Sequence, residues 1–176
     1  MKRIGIIIGA GAAGLTAAIS AAESGAEIII LEHTPKAGKK LLSTGNGKCN
    51  LTNLFINSSC YRCDNKNFPM NVLNKFTPTD TVAFFKNLGV VTTDKNGYVY
   101  PYSNQARTIL DALLNRIDEL GIKLITETEI LSINKQKNSF LVETSSGNFS
   151  GDFLILCAGS AAAKNTGSDG SGYKLA

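Results

Sequence analysis

The chain is short of the residues that disulfide frameworks, metal centres and membrane spans require. Its 176 residues include four cysteines, one histidine, four prolines and no tryptophan. Cys49, Cys60, Cys63 and Cys157 form no disulfide framework, so a reducing cytoplasm is the expected setting. Cys60 and Cys63 make one C-x-x-C pair, but no second pair completes a zinc site, and no helix start is there to lower a thiol pKa. With His33 as the only histidine, no Ser-His-Asp set is visible, and no paired carboxylates stand out. No apolar run is long enough to cross a bilayer. The first fourteen residues, MKRIGIIIGAGAAG, start like a signal peptide, but four glycines break the apolar run. Net charge is only +4, from 18 basic and 14 acidic residues. The lysines are scattered, which argues against a nucleic-acid surface. Only Lys39, Lys40 and Lys48 gather locally. A bound anion and a solvated loop both account for them.

What the chain does have is enough apolar sequence for one globular domain: 43% apolar and 18% charged. Ile4–Ile8 is a β-branched run ending at glycine, the pattern of a buried strand. Residues 11–24 are alanine-rich with Leu15 and Ile19 one turn apart, a helix ended by Gly25. Glu27–Leu31 reads as a second buried strand, which completes a right-handed βαβ unit. Residues 57–67 read as loop. The stretch TPTD at 77–80 starts a helix, with Thr77 as cap, Pro78 at the first position and Asp80 at the positive end. That helix stops at Gly89. Residues 90–93 and 98–100 flank DKNG as a hairpin. Residues 105–120 form an amphipathic helix with Ile109, Leu113 and Ile117 on one face. Residues 122–125 read as a third parallel strand, and 129–134, 139–144 and 148–150 as an antiparallel meander. Phe153–Leu156 returns to the fully buried type.

Gly9-Ala10-Gly11-Ala12-Ala13-Gly14 is a G-x-G-x-x-G motif in the context that gives it meaning. A strand precedes it, a helix follows, and the next strand ends in Glu32. The first glycine permits the turn, the second admits a pyrophosphate, and the third lets helix and strand pack closely. Amides at the helix start, around Ala12 and Ala13, favour the phosphates. Glu32 stands 18 residues after Gly14, where a carboxylate can accept ribose hydroxyls and repel a 2′-phosphate. His33 beside it reads as near adenine or solvent. The motif alone leaves FAD and NAD open. The polar excursion after Glu32 and the later meander are foreign to a plain NAD domain, and suit the two-layer FAD domains of the glutathione reductase class.

The excursion includes KLLSTGNGKCNLTN, residues 40–53. It resembles the K-x-L-x-S-G-x-G-[RK]-C-N-x-T-N signature of the BaiN/RdsA-type bacterial flavoproteins. GYVYPYSNQA at 97–106 and LILCAGSAAAKNTGSDGSGYKLA at 154–176 are similar to later motifs of that family. The resemblance covers essentially the whole chain. It implies an α/β fold: a Rossmann-like FAD-binding domain whose parallel sheet carries helices and an antiparallel β-meander. It also implies an oxidoreductase cofactor, FAD, with NAD(P)H as reductant in full-length members. Gly45 and Gly47 would let backbone amides approach the flavin. Ser43, Cys49, Asn50, Thr52 and Asn53 would contact it, and Lys39, Lys40 and Lys48 would supply positive charge. Ile130 would meet adenine through its backbone, and Ala158-Gly159 would bring the chain back to the cofactor. Lys48 and Tyr98 stand where arginine is usual, and Thr44 replaces a small residue. Family members are more than twice as long, so residues 1–176 read as an N-terminal portion without the substrate domain and the C-terminal FAD segment. A small-molecule substrate, no membrane partner, self-association through apolar surface and weakened FAD retention follow as expectations. A nucleotide-binding module without turnover, including an NAD-type Rossmann domain, is the alternative.

Overall fold

The β-branched run at the N-terminus has no polar face to offer water. It becomes an inner strand of a parallel sheet. In the computed structural model, which describes residues 2–65, 67–162 and 164–176, the chain forms two compact units, residues 1–41 with 113–176, and residues 42–112.

The first unit contains β1 (Ile4–Ile8), α1 (Ala12–Glu23), β2 (Glu27–Leu31), β6 (Lys123–Ile125), β7 (Ile130–Lys135), β8 (Phe140–Thr144), β9 (Gly147–Gly151) and β10 (Phe153–Leu156). Its four-stranded sheet has the order β10-β1-β2-β6. All three pairings are parallel, with Ile8 opposite Leu31 on one side and Leu156 on the other. Side chains alternate across the sheet. Ile6, Ile8 and Leu31 meet Val142 of the β7-β8-β9 meander, with Ile133, Phe149, Leu154 and Leu156 packed around them. Helix α1 packs on β1, β2 and β10, burying Leu15, Ala18 and Ile19 completely. At the sheet's start, Ile4 donates its N–H to Asp152 Oδ2 at 2.7 Å.

The second unit holds β3 (Thr52–Asn53), β5 (Tyr98–Pro101) and β4 (Thr92–Lys95), antiparallel in that order, with α3 (Phe68–Leu73) and α4 (Pro78–Asn87). Helix α4 starts with a complete capping box. Thr77 Oγ1 accepts the Asp80 N–H at 3.2 Å, and the Asp80 carboxylate accepts the Thr77 N–H at 2.8 Å and its hydroxyl at 2.7 Å. Helix α5 (Ala106–Glu119) follows, with Ile109, Leu113 and Ile117 buried as its periodicity predicts.

Four sequence expectations need correction. The segment at 57–67 contains a 3-10 turn at Ser58–Cys60; Lys66 lies outside the described residues. Helix α3, with Pro69 in its first turn, was not anticipated because it is six residues long and Asn71 interrupts any apolar period. The first hairpin strand lies two residues closer to the turn than expected, and the second starts at Tyr98 as expected and runs one residue further, to Pro101. Asn96 and Gly97, at φ 53° and 86°, make a two-residue loop, the left-handed pair that an Asn-Gly hairpin favours. Finally, β10 is half-buried at every position, because it lies at the sheet's edge.

Two outcomes follow. Ile6→Ala should lower stability by about 2–5 kcal/mol through a cavity between sheet and meander, read as a fall in the urea midpoint. The Thr77 hydroxyl and N–H hold the Asp80 carboxyl below its ordinary value of 3.8. A depressed folded-state pKa gives stability that is present above the unfolded pKa, and that is lost as pH falls through the folded one. Wild type should therefore lose stability below about pH 4 more steeply than Asp80→Asn. Parallel pH profiles for the two would refute the assignment.

Candidate nucleotide-binding site

The site begins with the turn between β1 and α1. Gly9 sits at φ +100°, and a Cβ there would come 2.5 Å from the Cys157 carbonyl oxygen. At Gly14 a Cβ would strike the Gly9 carbonyl oxygen. Both glycines are therefore required by the protein's own packing. Gly11 differs. It has φ −80° and ψ −174°, ordinary extended backbone, and a Cβ there would meet nothing within 4 Å. No side chain caps α1, and its first turn has no acidic residue. Ala12 and Ala13 are exposed at the helix start. The first amides of α1 are thus available to an anion, and the helix dipole favours one there.

The turn is held from the end of β2. Glu32, 6% exposed, accepts the Ala10 N–H on Oε2 at 2.7 Å. Its Oε1 accepts the Thr34 N–H at 2.8 Å and the Thr34 hydroxyl at 2.7 Å. His33 Nδ1 lies 3.2 Å from the same oxygen. Gly9 N–H bonds to the Leu31 carbonyl and Gly38 N–H to that of Ala10. The expected ribose carboxylate therefore has an earlier task, which is to fix the glycine turn. The part of Thr34 in this was not foreseen, although a hydroxyl two residues beyond an acid is a recognisable local acceptor–donor pair.

A cleft of about 270 Å³ opens over the turn, lined by Gly9, Gly11, Glu32, His33, Lys39, Lys40, Ile130, Ala158 and Gly159 among the expected residues. Pockets that enclose a drug-sized ligand run from about 300 Å³ upward, so this cleft suits part of a dinucleotide. Gly14, Ala12 and Ala13 support it without lining it. Lys36, Glu129, Cys157 and residues 166–169 and 171 also line it, and were not anticipated as site residues. Burial pushes the Cys157 thiol pKa up, so at neutral pH this group is a neutral wall. Ser171, through its hydroxyl and N–H, holds the Asp169 carboxyl below the usual range, with a smaller contribution from His33.

The remaining expected residues, Ser43, Gly45, Gly47, Lys48, Cys49, Asn50, Thr52 and Asn53, belong to the second unit. There Gly45, Asn46, Gly47 and Cys49 all have positive φ, between 54° and 79°. Asn50 Nδ2 donates to the carbonyls of Thr52 and Val99, both at 3.1 Å, and Asn53 Oδ1 accepts the Phe55 N–H at 2.8 Å. These bonds shape the loop itself, and Thr52–Asn53 pairs with β5. Cys49 is buried, and desolvation raises its pKa against the opposing Thr44 hydroxyl. It is a packed thiol, not a thiolate. Cys60 and Cys63 are free and exposed. Among the described residues, no cluster of His, Cys, Asp and Glu is fit to hold a metal, and no helix is long and apolar enough to cross a membrane.

Comparison with known proteins places this geometry. The family model described as HI0933-like protein Rossmann domain matches residues 4–176. The chain is similar to a 3-dehydro-bile acid delta(4,6)-reductase of Clostridium scindens, 42% identical over all of this chain and 43% of that protein. It is also similar to a ribosomal RNA dihydrouridine synthase of Escherichia coli, 28% identical over 97% of the chain and 43% of that protein. The chain thus spans less than half the length of these relatives. A solved structure of CtdE in complex with FAD shares the fold, with a TM-score of 0.53 and 19% identity, over 94% of this chain and 41% of that one.

Replacing Glu32 should destabilise the protein with no nucleotide present. Glu32→Ala leaves the buried Ala10 N–H without its acceptor, at a cost of about 1–3 kcal/mol. An unaltered denaturation midpoint would show that the carboxylate does not hold the turn.

Proposed function

The chain belongs to the HI0933-like family of Rossmann domains, and from that premise we propose that it is the FAD-binding portion of a flavin-dependent oxidoreductase. One observation carries the reading. Gly11 is the glycine of the turn for which the protein's own packing gives no reason, and it lines the cleft. A side chain there would fill the cradle above the first amides of α1, so its absence matches the close approach of a pyrophosphate. The residues fit such a group. The α1 amides would bind the phosphates, Lys39 and Lys40 would add positive charge, and Glu32 would reach the ribose beside the turn it fixes.

FAD, once bound, supplies the redox chemistry. The chain's own residues bind it, orient it and, through Cys157, Ala158 and Ile130, keep water from one side of it. The reading that Ser43, Gly45, Gly47, Lys48, Cys49, Asn50, Thr52 and Asn53 serve the same cofactor rests on the family resemblance. The two relatives have different named activities and this chain spans less than half of either, so this reading ends at the cofactor and assigns no substrate.

The test separates folding from binding. Gly11→Val should keep the parent's circular dichroism, since a Cβ there meets no protein atom within 4 Å. It should lose FAD binding by at least about a hundredfold, as a methyl-bearing Cβ would occupy the pyrophosphate's space. The measurement is flavin fluorescence titration, with NAD titrated in parallel. Equal FAD affinity in parent and variant would place the cofactor elsewhere, and preference for NAD would replace the flavin reading.

A further inference from the structure

One wall of the cleft comes from a stretch to which neither the motif reading nor the proposed function gives a task. Thr166, Gly167, Ser168, Asp169 and Ser171 line the cleft together with Gly9 and Gly11 of the glycine turn. The stretch has little regular structure: a 3-10 turn at Lys164–Thr166 and the short helix α6 (Gly172–Leu175). Close fits seat it. A Cβ at Gly159 would strike Ser168 Oγ, and a Cβ at Gly172 would come 2.9 Å from that of Ala158. Gly167, at φ +86°, lies against the His33 ring, where a Cβ would come 3.1 Å from Cε1 and 3.2 Å from Nε2.

Ser168 is the buried polar side chain of this wall, 3% exposed. Its Oγ accepts a hydrogen bond from Lys40 Nζ at 2.9 Å. Lys40 lies in α2 (Lys39–Ser43) and lines the same cleft as Gly11. An ammonium has three donors, so one group can bind both a serine hydroxyl and a phosphate oxygen. Its charge acts on both bonds, and charge-assisted bonds are stronger than neutral ones.

We propose that Lys40 and Ser168 form a latch that holds the 166–171 wall over a dinucleotide's phosphates. Lys40 links the two: the ammonium that already holds Ser168 also binds a phosphate oxygen, so each bond favours the other. Ser168 is a positioning residue that acts through Lys40. The inference rests on the FAD reading, because it needs phosphates in this cleft.

ADP is the probe, since it has the pyrophosphate without the flavin. Kd and the dissociation rate are measured for the parent chain, Ser168→Ala, Lys40→Met and the double variant. Ser168→Ala should weaken ADP about tenfold, the scale of one hydrogen bond to a charged group, chiefly through faster dissociation. In the Lys40→Met background the same substitution should change nothing. A merely structural role for Ser168 would weaken binding equally in both backgrounds, and that result overturns the latch. So does unaltered binding by Ser168→Ala. Trypsin gives a readout that does not need the serine variant. Saturating ADP should slow cleavage after Lys164 and Lys174 in the parent and not in Lys40→Met, and equal protection in both overturns the latch. A parent that binds FAD but shows none of this loses the latch alone. A parent that binds neither ADP nor FAD overturns the cofactor reading, and the latch with it.

Discussion

Glu32 ties together the cleft over the glycine turn. Its carboxylate lies at the end of one strand and takes the amide of Ala10 in the turn that follows the neighbouring strand. The bond is buried, so water cannot replace it, and a buried donor without an acceptor is costly. The register of β1 on β2 puts Ile8 beside Leu31, which brings the two strand ends level. Only then can an acid one residue past β2 reach an amide two residues past β1. The glycine turn, the start of α1 and the floor of the cleft all depend on that alignment.

Around this bond the three glycines of the motif divide their work. Gly9 and Gly14 let backbone meet backbone, at Cys157 and at each other. Gly11 leaves space that faces the cleft. A motif usually described as one unit is thus two packing requirements and one position that the protein's own packing leaves open. The structure separates them because only two of the three positions would clash with protein atoms. The same logic extends to the return of the chain after β10, where Gly159 makes room for Ser168 against Lys40.

The second unit follows a different principle. Its small sheet is built from short antiparallel strands, and its loops depend on asparagine. Asn50 and Asn53 bond the backbone nearby, and Asn96 with Gly97 turns the hairpin. Left-handed residues cluster at Gly45, Asn46, Gly47 and Cys49. Such a run is costly for most side chains, and glycine and asparagine make it accessible. The polar character of residues 43–53 therefore has a conformational cause within this unit, alongside any contact with a cofactor.

Much of this was determined by local pattern alone. The β-branched runs of β1 and β2, the small-residue helix between them, the cap at Thr77 and the amphipathic face of α5 were legible because each is a property of neighbours in sequence. So was the placing of the G-x-G-x-x-G motif between strand and helix. Helix α3 was not legible, because its six residues are too few for an apolar period to show and Asn71 interrupts them. The β3 pairing was not, because two residues carry no strand signal and their partner lies some 45 positions on. Only the tertiary structure decided that β10 is a half-exposed edge, that Glu32 fixes Ala10 and that Lys40 meets Ser168, 128 residues away. Each depends on which strand ends come level and which loop returns to them. A linear sequence encodes such distances only through the assembled sheet.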